Sequence, residues 1–545
     1  MRHMETVDVE VLIVGGGPAG LSASIELSRH GVTSLLVERH ADTSIFPKAR
    51  LVSTRTMEIF RSWGIQDAVE RAGLPRADSL ALGVGSALTA PDFRRAVAPI
   101  HDDAPQSPTY TYICSQDRLE VILRALATDQ RTAQVRFATT MTELRTVTDG
   151  VEAVVESADG RRLARARYAI AADGGRSGIR SSLGIGVAGP PPLGHMLSIM
   201  FDVDLRDLLH DRLGALYFVR GEVGCAVEAV DNERRWIIQT AYEPELGQSA
   251  DDFTEDVCLA FVRAAVGIPD LPVEIIGTMP WLQQAIVADE FRRGRIFLAG
   301  DAAHVATPQG GFGMNCGIQD AHNLGWKLAA VSRDAAGDGL LDSYARERRP
   351  VAEWTVDESL NNALITVEMM EGRLGMREAG ERQADRRRAE GMILGYRYES
   401  PAVLPDGTDP PQPSDPYRTY VPTARPGHRA PHVWLSRAGA RVSTLDLIGP
   451  EFTLMTPAGS GWAQSAKEAG GAAATAITTV EISADGATAL SGPEWARAYG
   501  LSSRGAVLIR PDGHVAWRCA DAPPSSAVLV NALDRILDRT GTSGR

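Results

Sequence analysis

The stretch VEVLIVGGGPAGLSASIELSRHGVTSLLVER, Val9 to Arg39, restricts the possible folds of this chain more than any other part of it. Val9 and Val11 to Val14 form a nearly continuous apolar run, as expected of a strand buried on both faces of a parallel sheet. Gly15, Gly17 and Gly20 follow in G-x-G-x-x-G order, and Pro18 and Ala19 open a helix expected to reach about His30. Pro18 falls in a first turn that has no use for its missing N–H, and Gly31 suits the C-cap. TSLLVER is then a second strand, ending at Glu38. In such a unit Gly15 allows the tight turn, Gly17 lets a pyrophosphate approach the backbone, and Gly20 lets helix and strand pack closely. The helix N-terminus offers free N–H groups to the anion, and Glu38 can accept hydrogen bonds from a ribose. Strand, helix, second strand and terminal acid in register predict a dinucleotide site, without deciding between FAD and NAD.

A second stretch, GRIFLAGDAAHVATPQGGFGMNCGIQDAHNLGWKL, discriminates between them. Arg295 to Ala299 reads as a short buried strand, followed by Gly300 and Asp301. A carboxylate just past a strand end lies where open α/β sheets bind ligands, and it suits a polyol such as the ribityl chain of a flavin. Pro308 gives a rigid apolar turn. Gly310, Gly311 and Gly313 leave backbone bare for a flat ring. A helix beginning near Met314 and Asn315 would turn its unpaired N–H groups toward the electron-rich edge of a reduced flavin. Gly317, Ala321, Gly325 and Ala329 recur every four residues and predict a close approach to a neighbouring helix.

This stretch resembles the second flavin motif of the class A flavoprotein monooxygenases, the para-hydroxybenzoate hydroxylase and phenol hydroxylase group. ARYAIAADGGRSGIRSSLGI resembles that family's middle motif, FPKARLVSTRTMEIFRSWGI its arginine-and-helix segment, and YICSQDRLEVIL the segment carrying a cofactor glutamine. The four motifs stand in family order. The resemblance implies that Glu38, Arg39, Arg50, Gln116, Asp173, Asp301, Met314 and Asn315 contact FAD, and that Pro308 lies beside the reacting C4a carbon. It also implies NADPH or NADH as a transient electron donor, since no second G-x-G-x-x-G in strand context appears, and O2 as co-substrate. The implied reaction is hydroxylation of a small aromatic molecule. Baeyer–Villiger oxygenation of a ketone on the same scaffold remains open, as does, more remotely, a non-enzymatic nucleotide-binding module. GYRYESPAV resembles a segment of hydroxylases that tailor bacterial aromatic polyketides, which narrows the expected substrate to a polycyclic phenol or quinone. No general base is evident.

The remaining sequence bounds the alternatives. The 545 residues carry a net charge of −13 and no basic run, which disfavours nucleic-acid binding. The five cysteines are scattered and make no C-x-x-C, so neither disulfide framework nor metal site is expected. No apolar run approaches the ~20 residues that span a bilayer. A cytoplasmic protein, monomeric or homodimeric, is expected. His304 and His322 read as structural histidines.

The expected fold class is α/β. A Rossmann-like FAD-binding domain of the GR2 type occupies residues 1–182 and, with long helices, 281–403. An inserted β-sheet substrate domain occupies 183–280, a proline-rich linker 404–431, and a thioredoxin-like domain 432–545. In the insert, turns at Arg220–Gly224 and Asp231–Glu233 separate three strands. Trp236, Ile238, Thr240 and Tyr242 share one face by alternation. That face is read as the sheet's own core, with the floor of a flat aromatic pocket as the alternative. Arg386 to Arg388 read as a solvated face of a charged helix. Pro511–Gly513 reads as a turn in the tail, where Cys519 stands alone and thiol–disulfide chemistry is not expected.

Overall fold

The computed structural model describes residues 5–79, 81–97, 106–370, 373, 378, 382, 389–472, 475–483, 490–492 and 494–539. The Arg386–Arg388 cluster lies outside them. The apolar run at the N-terminus becomes the strand Glu5–Val14, whose last four residues are buried. It pairs in parallel with Ser34–Val37 on one side and Gly160–Ala171 on the other. Ala133–Arg136 and Ile296–Leu298 extend the parallel sheet at its two ends. Two antiparallel strands, Thr140–Val147 and Gly150–Ser157, lean on Gly160–Ala171.

The helices Pro18–Arg29 and Gly313–Ser332 pack closely on each other, and the first of them lies on this sheet. The stripe of small residues explains how. A Cβ on Gly317 would come within 2.9 Å of the Gly300 Cα, and one on Gly325 within 2.8 Å of the Glu26 Cβ. Real side chains do not tolerate such approaches, so the helix axes would have to separate.

A second sheet has seven strands in the order Glu274–Gln283, Gly194–Asp202, Arg235–Tyr242, Gly224–Ala229, Leu216–Arg220, Ala81–Gly85 and Arg94–Val97. The strands Ala81–Gly85 and Arg94–Val97 come from the segment the sequence assigned to the nucleotide domain. The layer therefore does not begin at residue 183. A parallel pairing of Ala81–Gly85 with Leu216–Arg220 draws them in, a contact no local pattern encodes. The helix Glu255–Val266 covers one face of this sheet. Leu197, Ile199, Phe201, Trp236 and Ile238 pack there with Cys258, Val262 and Ala265. Trp236, Ile238, Thr240 and Tyr242 thus belong to the covered face, and the pocket floor is not built from them.

The predicted linker is a packed strap. Tyr417, Tyr420, Ala424 and Arg429 are buried within it, and Leu404 and Gly427 donate backbone hydrogen bonds to the last hairpin. Beyond it, Phe452–Pro457 pairs in parallel with Ile477–Ile482 and antiparallel with Ala506–Ile509, which pairs with Val515–Cys519. The helices Trp462–Ala472 and Ser526–Ile536 flank them.

The turn of the last hairpin is buried rather than exposed. Arg510 bonds both oxygens of Glu347 at 2.6 and 2.8 Å and also holds Asp512. Lys327 reaches Glu347 at 2.6 Å, and Asn323 donates to Asp512 at 3.1 Å. Every charged member is at most 1% exposed. Glu347 sits on the long helix Gly339–Met370, so the C-terminal unit inserts a charged plug beneath the helix Gly313–Ser332. Ser400 and Tyr398 of GYRYESPAV join this plug, through Glu347 and Arg348.

Candidate cofactor and substrate site

At the nucleotide turn the three glycines do different work. Gly15 adopts φ +114°, and a Cβ there would strike the Ala172 carbonyl. Gly20 leaves no room because the Gly15 carbonyl lies against it. A Cβ on Gly17 would meet nothing within 4 Å, so its surface is a bare cradle. Glu38 accepts from the Gly16 N–H at 2.7 Å and the His40 N–H at 2.9 Å. Burial raises its pKa, but these bonds and the His40 ring outweigh burial and hold it below the usual range. Arg39 is exposed beside it.

The second motif closes on the first. The Gly300 turn is pressed between Ala19 and Gly317, which places Ala19 in packing. Asp301 projects from it. Its carboxylate is open to solvent although protein surrounds it on most sides, and it makes no hydrogen bond among the described residues. Burial pushes its pKa up, against His304 and Lys48. The turn is held from behind by Asp320, fully buried, which accepts from the Gly300 N–H at 3.1 Å, His304 at 2.7 Å and Arg348 at 2.7 Å. His304, Cys316 and Asp320 have the residue types of a metal site, but Arg348 already lies 3.2 Å from the Cys316 sulfur and neutralises Asp320. His322 faces Glu26 at 3.7 Å, away from the crevice.

Pro308 and Gly310 are exposed on the loop before the helix Gly313–Ser332. Gly311, at φ +66°, lies against Leu51. A Cβ on Gly313 would touch only the Ala306 Cβ, at 3.8 Å, Met314 is half-buried, and no side chain among the described residues caps the helix N-terminus. Those uncapped N–H groups, the bare Gly17 and the unpaired Asp301 carboxylate fit the electron-rich ring edge, the pyrophosphate and the ribityl arm of FAD respectively.

Four predicted residues are engaged elsewhere. Arg50 donates to the Ala215 and Ala229 carbonyls, both at 2.8 Å, and pairs with Glu228 at 2.6 Å, so it points to the seven-stranded sheet. The Asn315 side chain bridges Ser53, Leu51 and Gly311. Gln116 donates to Glu120 at 2.7 Å. Asp173 caps the short helix Gly178–Ser182, accepting from Ser177 and Ile179.

The opposite face of the seven-stranded sheet is covered at one side by the end of the helix Gly339–Met370, where Met369 packs on Leu82 and Phe218, and its remainder looks onto this crevice. Gln283 donates to Gln309, next to Pro308, at 3.1 Å. At the other end of that face Phe46, from the Arg50 segment, packs on Met200 and Ile237. Between them lie Ser198, Gln239 and Trp281. The sequence hinted at these only through polar and sulfur side chains on the strand parity opposite Trp236.

Crevice and sheet together define an FAD-binding enzyme with a roofed space beside the cofactor. Residues 8–359 match the family described as FAD binding domain, and residues 423–540 the family described as Aromatic-ring hydroxylase, C-terminal. The chain belongs to the FAD-dependent aromatic-ring hydroxylases and is a monooxygenase of that group. It is 40% identical to the tetracenomycin A2 monooxygenase-dioxygenase of Streptomyces glaucescens, over 99% of each chain. Among solved structures it is similar to the flavin-dependent monooxygenase PieE in complex with FAD and substrate, with TM-score 0.90, 32% identity, and 98% and 99% of the two chains covered. It is also similar to aklavinone-11 hydroxylase in a ternary complex with FAD and aklavinone, with TM-score 0.86, 34% identity, and 99% and 100% covered.

Proposed function

We propose that this monooxygenase hydroxylates a flat polycyclic phenol or quinone of the polyketide type, with NADPH or NADH as electron donor and O2 as co-substrate. The observation that carries the reading is the Gln283–Gln309 hydrogen bond, which ties the crevice face of the sheet to the Pro308 turn. A planar ring beneath that face would meet the cofactor edge-on at Pro308. Relatives named for tetracenomycin and aklavinone support the polyketide class. Among the described residues no helix is long and apolar enough to cross a membrane, which is in keeping with a cytoplasmic enzyme acting as monomer or homodimer.

Bound FAD would supply oxygen transfer to the substrate ring. The protein's own part is to hold and orient. Gly17 and the helix from Pro18 receive the pyrophosphate, Glu38 and Arg39 flank the ribose, and Asp301 holds the ribityl hydroxyls. The backbone from Gly311 to Asn315 faces the pyrimidine edge. Asp173 and Gln116 shape the loops around the cofactor, and Arg50 clamps its segment to the sheet. The sheet and the long helix Gly339–Met370 exclude water from the reacting face. The order of strands and helices in residues 432–545 supports a thioredoxin-like unit in a structural role, since Cys519 has no partner cysteine.

The test is turnover. Purified holoenzyme given hydroxylated naphthoquinones or anthraquinones should consume NADPH faster and place one atom of 18O from labelled O2 on a ring carbon, located by NMR. Oxygen inserted beside a ketone would point to the Baeyer–Villiger outcome. No substrate-stimulated consumption with any such compound would overturn the proposal.

A further inference from the structure

Three side chains on the crevice face of the sheet form a closed hydrogen-bonded trio. Ser198 and Gln239 are direct cross-strand partners, and Trp281 lies diagonal to Ser198 on the next strand. Ser198 Oγ donates to Gln239 Oε1 at 2.7 Å. Trp281 Nε1 reaches Ser198 Oγ at 3.1 Å and Gln239 Oε1 at 3.3 Å. An indole N–H can only donate. It therefore fixes which way the Gln239 amide points, because the opposite orientation would set two donors against each other. The Gln239 NH2 group is left with no hydrogen-bond partner among the described residues.

The position of this group is what gives it meaning. Along the strand Gly194–Asp202, the Gly194 end is tied through Gln283 to Gln309, and the Met200 end is covered by Phe46. Both covering residues come from loops on the cofactor side. Ser198 and Gln239 fall between them, flanked by half-buried Met196 and Met279, flexible apolar side chains that adapt to flat rings. Two fixed N–H donors in an apolar surround select an oxygen acceptor. Left unpaired against a substrate they would cost free energy, which makes such a group discriminating rather than merely adhesive.

Resting on the substrate reading above, we infer that Gln239 is a specificity-determining residue: its amide NH2, oriented by Trp281 and Ser198, anchors a phenolate or quinone oxygen of a planar aromatic substrate beneath the sheet. The anchored oxygen fixes which ring carbon faces the Pro308 turn.

The test is binding to the FAD holoenzyme without electron donor, followed by tryptophan quenching and the shift in flavin absorbance. The probes are 2-hydroxy-1,4-naphthoquinone and, as the oxygen-free comparison, naphthalene. Gln239→Leu should weaken the naphthoquinone roughly tenfold to a hundredfold, the loss of a hydrogen bond to a charged or strongly polar oxygen. Naphthalene affinity, FAD affinity and the resting flavin spectrum should stay as in the wild type. Trp281→Phe, which frees the amide to rotate, should produce a smaller loss in the same direction. Equal naphthoquinone affinity in Gln239→Leu would overturn the inference. So would parallel loss of naphthalene, which means a collapsed pocket, or binding of neither compound by the wild type. Gln239-dependent binding without stimulated NADPH consumption would leave the anchor standing and sink the hydroxylase proposal instead.

Discussion

Acid should detach the C-terminal unit well before the nucleotide domain unfolds. His322, His428, His432 and His514 are all buried or nearly so, and burial pushes each from its ordinary value near 6.5 down to about 4. In His428, His432 and His514 the Nε2 atom is sealed from solvent and has no hydrogen-bond partner among the described residues, so a proton placed there would find no acceptor. The folded state therefore binds fewer protons than the unfolded one between pH 6.5 and 4. The stability these neutral rings contribute is fully present above pH 6.5 and is lost as the pH falls toward 4. Each ring loses about 2 kcal/mol between pH 7 and pH 5, roughly 7 kcal/mol for the four. His304 acts in the opposite sense. Burial disfavours its charge, but Cys316 and Asp320 hold its pKa well above 6.5, and it returns only about 1 kcal/mol over the same window. Three of the four rings lie where the strap and the last hairpin meet the rest of the molecule, and His514 stacks on Tyr398 at 4.1 Å. Urea midpoints at pH 7, 6 and 5, read by tryptophan fluorescence, should fall steeply, with early proteolytic release of the tail. Replacing His428, His432 and His514 together by leucine, leucine and glutamine should cut the pH dependence to about a sixth, since only the loss from His322 less the return from His304 remains, whatever the variant's absolute stability. Equal midpoints at pH 7 and pH 5, or a triple variant as acid-sensitive as the parent, would refute the reasoning.

Three further outcomes are expected. Asp301→Ala should weaken FAD about tenfold or more without changing the urea midpoint, since its carboxylate has no hydrogen-bond partner among the described residues to lose; FAD titration by flavin fluorescence reads this directly. Gly17→Ala should fold normally, because φ is −78° and nothing lies near its Cβ, yet lose FAD affinity by roughly tenfold; unchanged affinity would mean the pyrophosphate lies elsewhere. Arg510→Met should destabilise by about 3–5 kcal/mol, while the double replacement with Glu347→Leu should cost clearly less than the sum of the two singles, because each single leaves the buried cluster with an unbalanced charge and the double, which keeps Lys327 and Asp512, returns it to neutral; additive losses in a denaturant cycle would contradict the plug.

The parts of this molecule that could be read from sequence are those encoded by backbone needs. Gly15, Gly20, Gly317 and Gly325 are glycine because a Cβ would collide, and the spacing of such residues is visible without knowing their neighbours. The strand that ends at Gly300 and Asp301 was legible for the same local reason. Alternation along Arg235–Tyr242 correctly separated two faces, but it could not say which one the helix Glu255–Val266 covers, since that depends on a segment folded from elsewhere. Side chains that reach far were harder still. Arg50 finds its partners at Ala215 and Ala229, and Arg510 at Glu347, so nothing near either arginine announces the bond. The Pro511–Gly513 turn shows the difficulty most clearly. Its local chemistry is that of an exposed turn, and an isolated charge is normally a surface residue. What makes Asp512 a core residue is the simultaneous arrival of Arg510, Asn323 and, through Glu347, Lys327. A buried ionic cluster thus reads as surface in any one of its segments, and only the assembled set removes the penalty of burying each member.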